Sequence, residues 1–343
     1  MRATAKMTFL VAVMAMTASV NAWAQTRDRS VDAEAPAKKP VMPEPPPLFT
    51  VNNNIVGYYN LPTATNPGAG QTPMNALFFS HFDVWNYGTN FINVEWLKAT
   101  NGRAPPFGTP AAPCDQHGPL DPPGSSRCPG YTQIYGFLRS TFGWNQIFNT
   151  KAFSAGPLTN VEFIVGVDLN TDNTTFRSAR RAILGGLQFD FEMPYKGYFN
   201  VAVMGYKEWE HDGFASTFPS QPIPNPSGAL DFDPTWAVEG DYSQPLGSSP
   251  FFLNGFFVMR GPKGCGEPCQ PLGPGHLRTT EYLTQNVLAF DVGKVMWNAP
   301  KRVVIFGGYR WWKNKYGISP DQPNEFFVGT TESTWLAGTT MKF

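Results

Sequence analysis

The sequence has few charged residues and, beyond its first residues, no long apolar run. Asp, Glu, Lys and Arg make up 15% of its 343 residues, against about 25% in an average soluble domain. After residue 24, no segment approaches the roughly 18 consecutive apolar residues of a membrane-spanning helix. Hydrophobic residues nevertheless reach 42% and aromatic residues 15%, which is ample for a large folded domain.

The first residues have the pattern of an export signal. A basic start is followed by an apolar run over residues 7–18, and Ala22-Trp23-Ala24 fits a small-x-small cleavage site. We expect cleavage after Ala24, the alternative being a retained N-terminal anchor. The proline-rich segment 25–53 has no periodicity and predicts an extended periplasmic tether, and residues 54–343 form the folded domain.

The charge balance gives no indication of a nucleic-acid partner. Removal of residues 1–24 deletes Arg2 and Lys6, so 26 Lys and Arg become 24 against 26 Asp and Glu, a net charge of about −2. An exported, aromatic-rich chain with little charge and no membrane helix is typical of β-structure, either secreted or in an outer membrane.

Twelve segments alternate apolar and polar side chains, the pattern of strands with lipid on one face and a lumen on the other. Residues 77–98 contain two of them, separated at Asn86-Tyr87-Gly88-Thr89. The other ten are residues 54–61, 131–142, 159–170, 180–191, 197–209, 235–243, 251–260, 279–292, 302–312 and 333–343. The sequence therefore predicts an all-β protein, a transmembrane antiparallel β-barrel of about 12 strands in the outer membrane of a Gram-negative bacterium.

The connections between these strands sort by length. Short turns are predicted around 87–88, 193–196, 244–250 and 293–301, and long loops at 100–130, 210–234, 261–278 and 313–332. Connection 143–158 is long for a turn, and 171–179 is short for an external loop. Alternation of periplasmic turns and external loops is expected of an outer-membrane barrel and not of a soluble β-sandwich or propeller.

The last strand and the cysteines agree with this prediction. Phe343 ends an alternating strand, a signature that resembles the one by which outer-membrane assembly machinery recognises its clients.

Cys114 and Cys128 lie in one predicted loop, and Cys265 and Cys269 lie in another. We expect one disulfide within each loop, because the periplasm is oxidising and the other pairings bridge distant loops. A zinc site at the CGEPC pair is the alternative; we expect no metal and no cofactor.

Charges placed within the strands are expected to face the lumen, because a charge on the lipid face is costly. On this reasoning the lumen is lined by ionisable and polar residues and by inward aromatic rings. The predicted pore-lining and solute-binding residues are His81, Asp83, Trp85, Asn93, Glu95, Tyr135, Arg139, Glu162, Asp168, Asp190, Asn200, Tyr206, Glu208, Arg260 and Arg310. Glu239, Asp241 and Asn254 follow by the same parity, whereas segment 279–292 is ambiguous because Leu283 and Gln285 share one face.

Both a passage and a plug are compatible with such a lumen. A barrel of twelve strands lies between side-chain-filled and open barrels, and its paired charges can fill it completely. The rings of Trp85, Tyr135 and Tyr206 favour a passage in which a flat solute stacks.

Three stretches carry a resemblance to a known family. FDVWNYGTNFINVEW, VEFIVGVDLNTDN and WLAGTTMKF resemble the Tsx-like nucleoside-specific outer-membrane channels. The resemblance implies a twelve-strand barrel with a narrow lumen that passes nucleosides, and external loops that serve in some members as phage or colicin receptors. Bases would stack on inward rings while sugar hydroxyls bond to Asn93, Glu95 or Arg139. The proline-rich tether and the cysteine-bearing loops depart from the family pattern.

The expected transport is passive, because the phosphate-binding pattern GxxxxGK[ST] does not occur.

Two other functions are alternatives to a channel. One is a surface receptor or adhesion barrel with a closed lumen. The other is an outer-membrane hydrolase, which the sequence disfavours: Ser80 and His81 are neighbours in a strand and point to opposite faces. His117, His211 and His276 lie in predicted external loops. We therefore expect a channel and not an enzyme.

Overall fold

The computed structural model describes residues 49–67, 70–100, 131–172, 179–211, 229–264, 266, 277–320 and 329–343. The predicted signal peptide and most of the predicted tether lie outside these residues. So do Cys114, Cys128, Cys265 and Cys269, and their pairing stays a prediction. Among the described residues, no helix has the length and apolar character needed to cross a membrane.

Twelve long strands form a single closed sheet. They are β1 (Phe49–Leu61), β2 (Met74–Trp85), β3 (Gly88–Ala99), β4 (Thr132–Gly143), β5 (Leu158–Asp172), β6 (Ala179–Met193), β7 (Gly197–His211), β8 (Thr235–Pro245), β9 (Phe251–Arg260), β10 (Glu281–Asp291), β11 (Val303–Lys313) and β12 (Glu332–Lys342). Each pairs antiparallel with the next in sequence, and β12 returns to pair with β1. The predicted twelve-strand antiparallel barrel is confirmed, with β1 starting at Phe49, earlier than the predicted Asn54.

Three short strands accompany the barrel. Thr65–Asn66 pairs with Gly70–Gln71 in the connection between β1 and β2, and Ala229–Asp231 pairs with the end of β7. The first two form a separate small sheet, whereas the third belongs to the sheet of the barrel.

The period-two pattern of the sequence explains the wall. On β3, Ile92, Val94 and Trp96 are 38%, 42% and 49% exposed on the outer face. The residues between them, Asn93 and Glu95, are 0% and 4% exposed and point inward. Closure of the sheet pairs the backbone of one strand with the next all the way round, which is the requirement for a wall in lipid.

The connections separate into two classes by end. At the end that holds the start of β1 and the end of β12, called here the short-turn end, they are 86–87, 144–157, 194–196, 246–250 and 292–302. The 144–157 and 292–302 connections carry short helices, α1 (Trp144–Ile147) and α2 (Val292–Trp297). At the other end, called the long-loop end, they are 62–73, 100–131, 173–178, 212–234, 261–280 and 314–331.

Apolar side chains pack inside the barrel in two clusters. The larger lies on the inner faces of β1–β4 and β9–β12 and includes Phe78, Phe82, Phe91, Phe252, Val304 and Phe306. The smaller lies on the inner faces of β5–β8 and includes Ile164, Leu184 and Met204. Together they narrow the lumen, and most of the polar residues of the interior lie on β4–β9.

Candidate functional site

A cavity of about 390 Å³ lies inside the barrel. Near the short-turn end it is lined by Thr141, Gln188 and Tyr198, and near the long-loop end by Gln133 and Trp312. Because its lining includes residues from both ends, the cavity follows the barrel axis.

Arg139 crosses the middle of this space. From β4, its guanidinium donates to both carboxylate oxygens of Glu239 on β8 at 2.8 Å. Its Nη1 also lies 2.8 Å from Oδ1 of Asp168 on β5. A bidentate arginine–carboxylate pair fixes the geometry of both partners, so this contact joins two strands of the wall that have three other strands between them.

Further ion pairs continue from Arg139 toward the long-loop end. Arg260 donates to Asp168 at 2.8 Å and lies 3.5 Å from Glu281. Arg180 lies 3.3 Å from Glu208 and 3.6 Å from Glu281. Glu208 also accepts from Tyr206 and from Lys263, which belongs to the loop after β9.

These residues lie inside the barrel toward the long-loop end, and we call them the outer charge network. Its four cations and four anions are Arg139, Arg180, Arg260 and Lys263 with Asp168, Glu208, Glu239 and Glu281. Burial lowers the pKa of Lys263, and the adjacent Glu208 carboxylate opposes that shift. The matched charges allow ionised groups to remain inside the barrel, where an unpaired charge would be costly.

A second group of polar contacts joins β11 to β1, β3, β10 and β12. Arg310 donates to Gln285 at 2.7 Å and to the Tyr59 hydroxyl at 3.1 Å. The Tyr59 hydroxyl in turn donates to Glu95 at 3.0 Å. Arg310 also lies 4.0 Å from Glu332, so the chain of contacts runs round the inner surface.

Twelve of the fifteen predicted pore-lining residues point into the barrel. They are Asn93, Glu95, Tyr135, Arg139, Glu162, Asp168, Asp190, Asn200, Tyr206, Glu208, Arg260 and Arg310. Most of the charged ones meet in the contacts described above, whereas Glu162, Asp190 and Asn200 lie toward the short-turn end. Their binding of a solute stays a prediction.

The inward assignment of His81, Asp83 and Trp85 is wrong. The structure pairs His81 with Ile92 and Asp83 with Asn90, and residues paired directly opposite each other share a face. Ile92 faces outward, whereas Phe82, between the two, is 2% exposed and faces inward. Because the turn after β2 has two residues, the odd-numbered residues of β2 share a face with the even-numbered residues of β3. The prediction had instead placed the odd-numbered residues of both strands on one face.

These three residues belong instead to the outer surface near the short-turn end. His81 lies 2.8 Å from Asn54 Oδ1 and 3.2 Å from Asp83 Oδ2, and Asp83 accepts from Asn90 at 2.8 Å. The Trp85 ring packs edge-on against Phe142 at 5.5 Å between centroids. The hydrogen bonds offset the cost of polar groups at this position.

The outer surface does not assemble a serine–histidine pair at His81. Ser80 points inward and donates to Asn93 at 2.6 Å. Both ring nitrogens of His81 are already within hydrogen-bond distance of Asn54 and Asp83. The expected separation of Ser80 from His81 across the wall is therefore observed.

Sequence reasoning missed several residues of the lumen. They are Tyr59, Arg180, Lys263, Glu281, Gln285, Trp312, Lys315, Tyr316 and Glu332. Parity within segment 180–191 places Arg180 on the face of Asp190 and could have found it. Lys263, Lys315 and Tyr316 lie in loops, where no alternation indicates which side chain turns inward.

Comparison with known proteins finds structural likeness alone. A scan against protein-family models finds no match, and no curated protein matches. The chain is similar in structure to the COG4313 outer membrane channel from Pseudomonas putida F1, with a TM-score of 0.41, 8% identity, and coverage of 88% of this chain and 99% of that chain. It is also similar to a bacterial polysaccharide outer membrane secretin (TM-score 0.33, 10% identity, 85% and 98% coverage).

A third similar structure is OccK5 (OpdH) of Pseudomonas aeruginosa, with a TM-score of 0.24, 8% identity, and coverage of 86% of this chain and 99% of that chain. At these TM-scores and identities, the three proteins say nothing of what this chain transports or binds.

Proposed function

We propose that this chain is an outer-membrane channel for the passive diffusion of small solutes. The observation that carries the proposal is the cavity along the axis of a closed barrel, lined by polar and aromatic side chains while the outer face is largely apolar. The connections fit a periplasmic short-turn end and an external long-loop end. A channel needs sites that bind a solute weakly and repeatedly, and the lining supplies them.

We further propose nucleosides as the solute class. The resemblance to the Tsx-like channels supports this, as does the chemistry of the lining. Tyr135 and Phe137 present flat rings to the cavity, their centroids 5.8 Å apart. Arg139 and Glu95 line the same cavity and offer a donor and an acceptor to sugar hydroxyls. Stacking and hydrogen bonding together distinguish a nucleoside from a sugar of similar size.

Liposome swelling with nucleosides, sugars and amino acids of matched size tests both statements. We expect uptake of all three classes above that of protein-free liposomes, with nucleosides fastest. Equal rates would remove the nucleoside preference and leave a general pore. The absence of any uptake would overturn the channel itself.

A closed-lumen receptor is the second candidate function, because the outer charge network joins β4, β5, β6, β7, β8, β9 and β10 across the interior. Single-channel recording in planar bilayers separates the two candidates. A channel gives small steps in current that nucleosides reduce, whereas a receptor gives no current. In that case the external loops would be the binding surface, with a phage or a colicin among the partners to test.

A further inference from the structure

The start of the connection between β11 and β12 folds into the mouth of the barrel at the long-loop end. We call residues 314–318 the inserted loop. Asn314, Tyr316 and Gly317 have φ values of 52°, 61° and 77°. Left-handed backbone is unfavourable for residues other than glycine, so the surrounding contacts must hold Asn314 and Tyr316 in this conformation.

The anchor of the inserted loop is Lys315. It is 3% exposed, and its ammonium group donates to Glu332 at 2.8 Å and to the Thr65 carbonyl at 2.7 Å. Asn314 adds a side-chain hydrogen bond to the Thr280 carbonyl at 2.8 Å. Burial lowers the pKa of Lys315, and its ion pair with Glu332 opposes that shift. The loop is thus fixed to the wall on two sides.

This anchoring places the Tyr316 ring over the lumen. Its hydroxyl accepts from Gln133 of β4 at 3.3 Å, and the Arg180 guanidinium of β6 lies 5.2 Å from the ring centroid. On its own side, the ring packs edge-on against Trp312 at 5.3 Å between centroids. Tyr316 therefore reaches from the β11–β12 connection to strands on the far side, and all four side chains line the cavity.

We propose that Tyr316 is the selectivity gate at the outer mouth of the channel. A solute arriving from the long-loop end meets this ring before it reaches Arg139. A flat solute can stack on Tyr316 or Trp312 as it enters. This stacking replaces the contact between the Tyr316 ring and the Arg180 guanidinium. A solute without a flat ring has to displace Tyr316 and gains no stacking in return, so the gate favours planar solutes. This inference rests on the proposed channel function.

The test compares Tyr316→Ala with wild type in single-channel recording and in liposome swelling with a nucleoside and a disaccharide. We expect a larger conductance and a nucleoside-to-disaccharide ratio that falls about fivefold or more, since stacking of one base on an aromatic ring is lost. Tyr316→Phe should have a smaller effect, because it keeps the ring and loses only the bond with Gln133. Lys315→Ala should reproduce the larger conductance by releasing the inserted loop.

Tyr309→Ala is the matched control. This tyrosine belongs to β11 close to the same mouth but is on the outer face, where it contacts Trp335, so its removal should leave the conductance and the ratio unchanged. Retention of the heat-shifted gel mobility of a folded barrel shows that each variant has assembled.

The outcomes separate the gate from the channel. A conducting wild type with an unchanged Tyr316→Ala variant would overturn the gate and leave the channel standing. Conduction by Tyr316→Ala alone would support the gate. If neither protein conducts, both proposals fail together.

Discussion

Arg139 shows how a single residue links stability to the shape of the lumen. It is held by Glu239 through two hydrogen bonds and by Asp168 through a third contact. Replacing one member of a buried ion pair leaves its partner uncompensated, which typically costs about 3–5 kcal/mol. The same change also removes a side chain that crosses the cavity.

We therefore expect Arg139→Ala to lower the free energy of unfolding by about 3 kcal/mol and to increase single-channel conductance. Urea unfolding in lipid bilayers and planar-bilayer recording measure the two effects. Arg181→Ala is the control, because this arginine of β6 is exposed on the outer face and its loss should change stability by less than about 0.5 kcal/mol. In a double-mutant cycle, adding Glu239→Ala to Arg139→Ala should cost less free energy of unfolding than Glu239→Ala costs in the wild type. If the two losses simply add, Arg139 and Glu239 do not stabilise each other.

The opposite placement of Asp83 and Glu95 gives a second test at this scale. Glu95 is on the inner face and lines the cavity, whereas Asp83 is on the outer face and bonds to Asn90 and His81. We expect Glu95→Gln to shift the cation-to-anion permeability ratio toward anions, because it removes one negative charge from the lumen. Asp83→Asn should leave the ratio unchanged. Reversal potentials in a salt gradient measure both, and a shift caused by Asp83→Asn alone would mean that the faces are exchanged.

At the scale of strands and loops, the alternation of side chains made the twelve strands predictable from the sequence. Faces were predictable within a strand, as Glu162 and Asp168 on β5 illustrate, because the side-chain period is two. They were not predictable across the Asn86–Tyr87 turn, where the face depends on which residues pair. Sequence alternation also cannot show that Lys315 and Tyr316 turn inward, because a loop has no fixed period. Twelve inward-facing strand residues were therefore predicted, whereas other strand residues such as Arg180 and Glu281 and the loop residues Lys263, Lys315 and Tyr316 were missed.

The last strand carries a prediction about assembly. Phe343 follows β12, the residue is 63% exposed, and its backbone N–H donates to the Asn54 carbonyl at 3.0 Å. Because the exposed ring adds little packing, Phe343→Ala should leave the stability of the assembled barrel within about 0.5 kcal/mol. If Phe343 is the assembly signal, the variant should instead reach the outer membrane in several-fold lower amount, as measured by immunoblotting of membrane fractions. Normal amounts would remove that role.

At the scale of the whole molecule, the outer surface determines how the protein must be handled. Its exposed apolar side chains include Phe163, Val165, Ile183, Val203 and Leu253. Exposed apolar surface of this extent requires lipid or detergent. We expect the purified protein to remain dispersed only in detergent and to migrate on gels as a compact species until heated. A protein that stays monomeric in plain buffer would contradict its placement in a membrane.

The pairing that closes the barrel has a consequence for synthesis. β1 pairs with β12 through the register from Ile55–Lys342 to Asn60–Ala337. One edge of β1, the first strand of the barrel to be synthesised, therefore stays unpaired until β12 is present. Every shorter nascent product has two unsatisfied sheet edges, which are templates for aggregation. A polypeptide that terminates before β12 therefore cannot close the barrel.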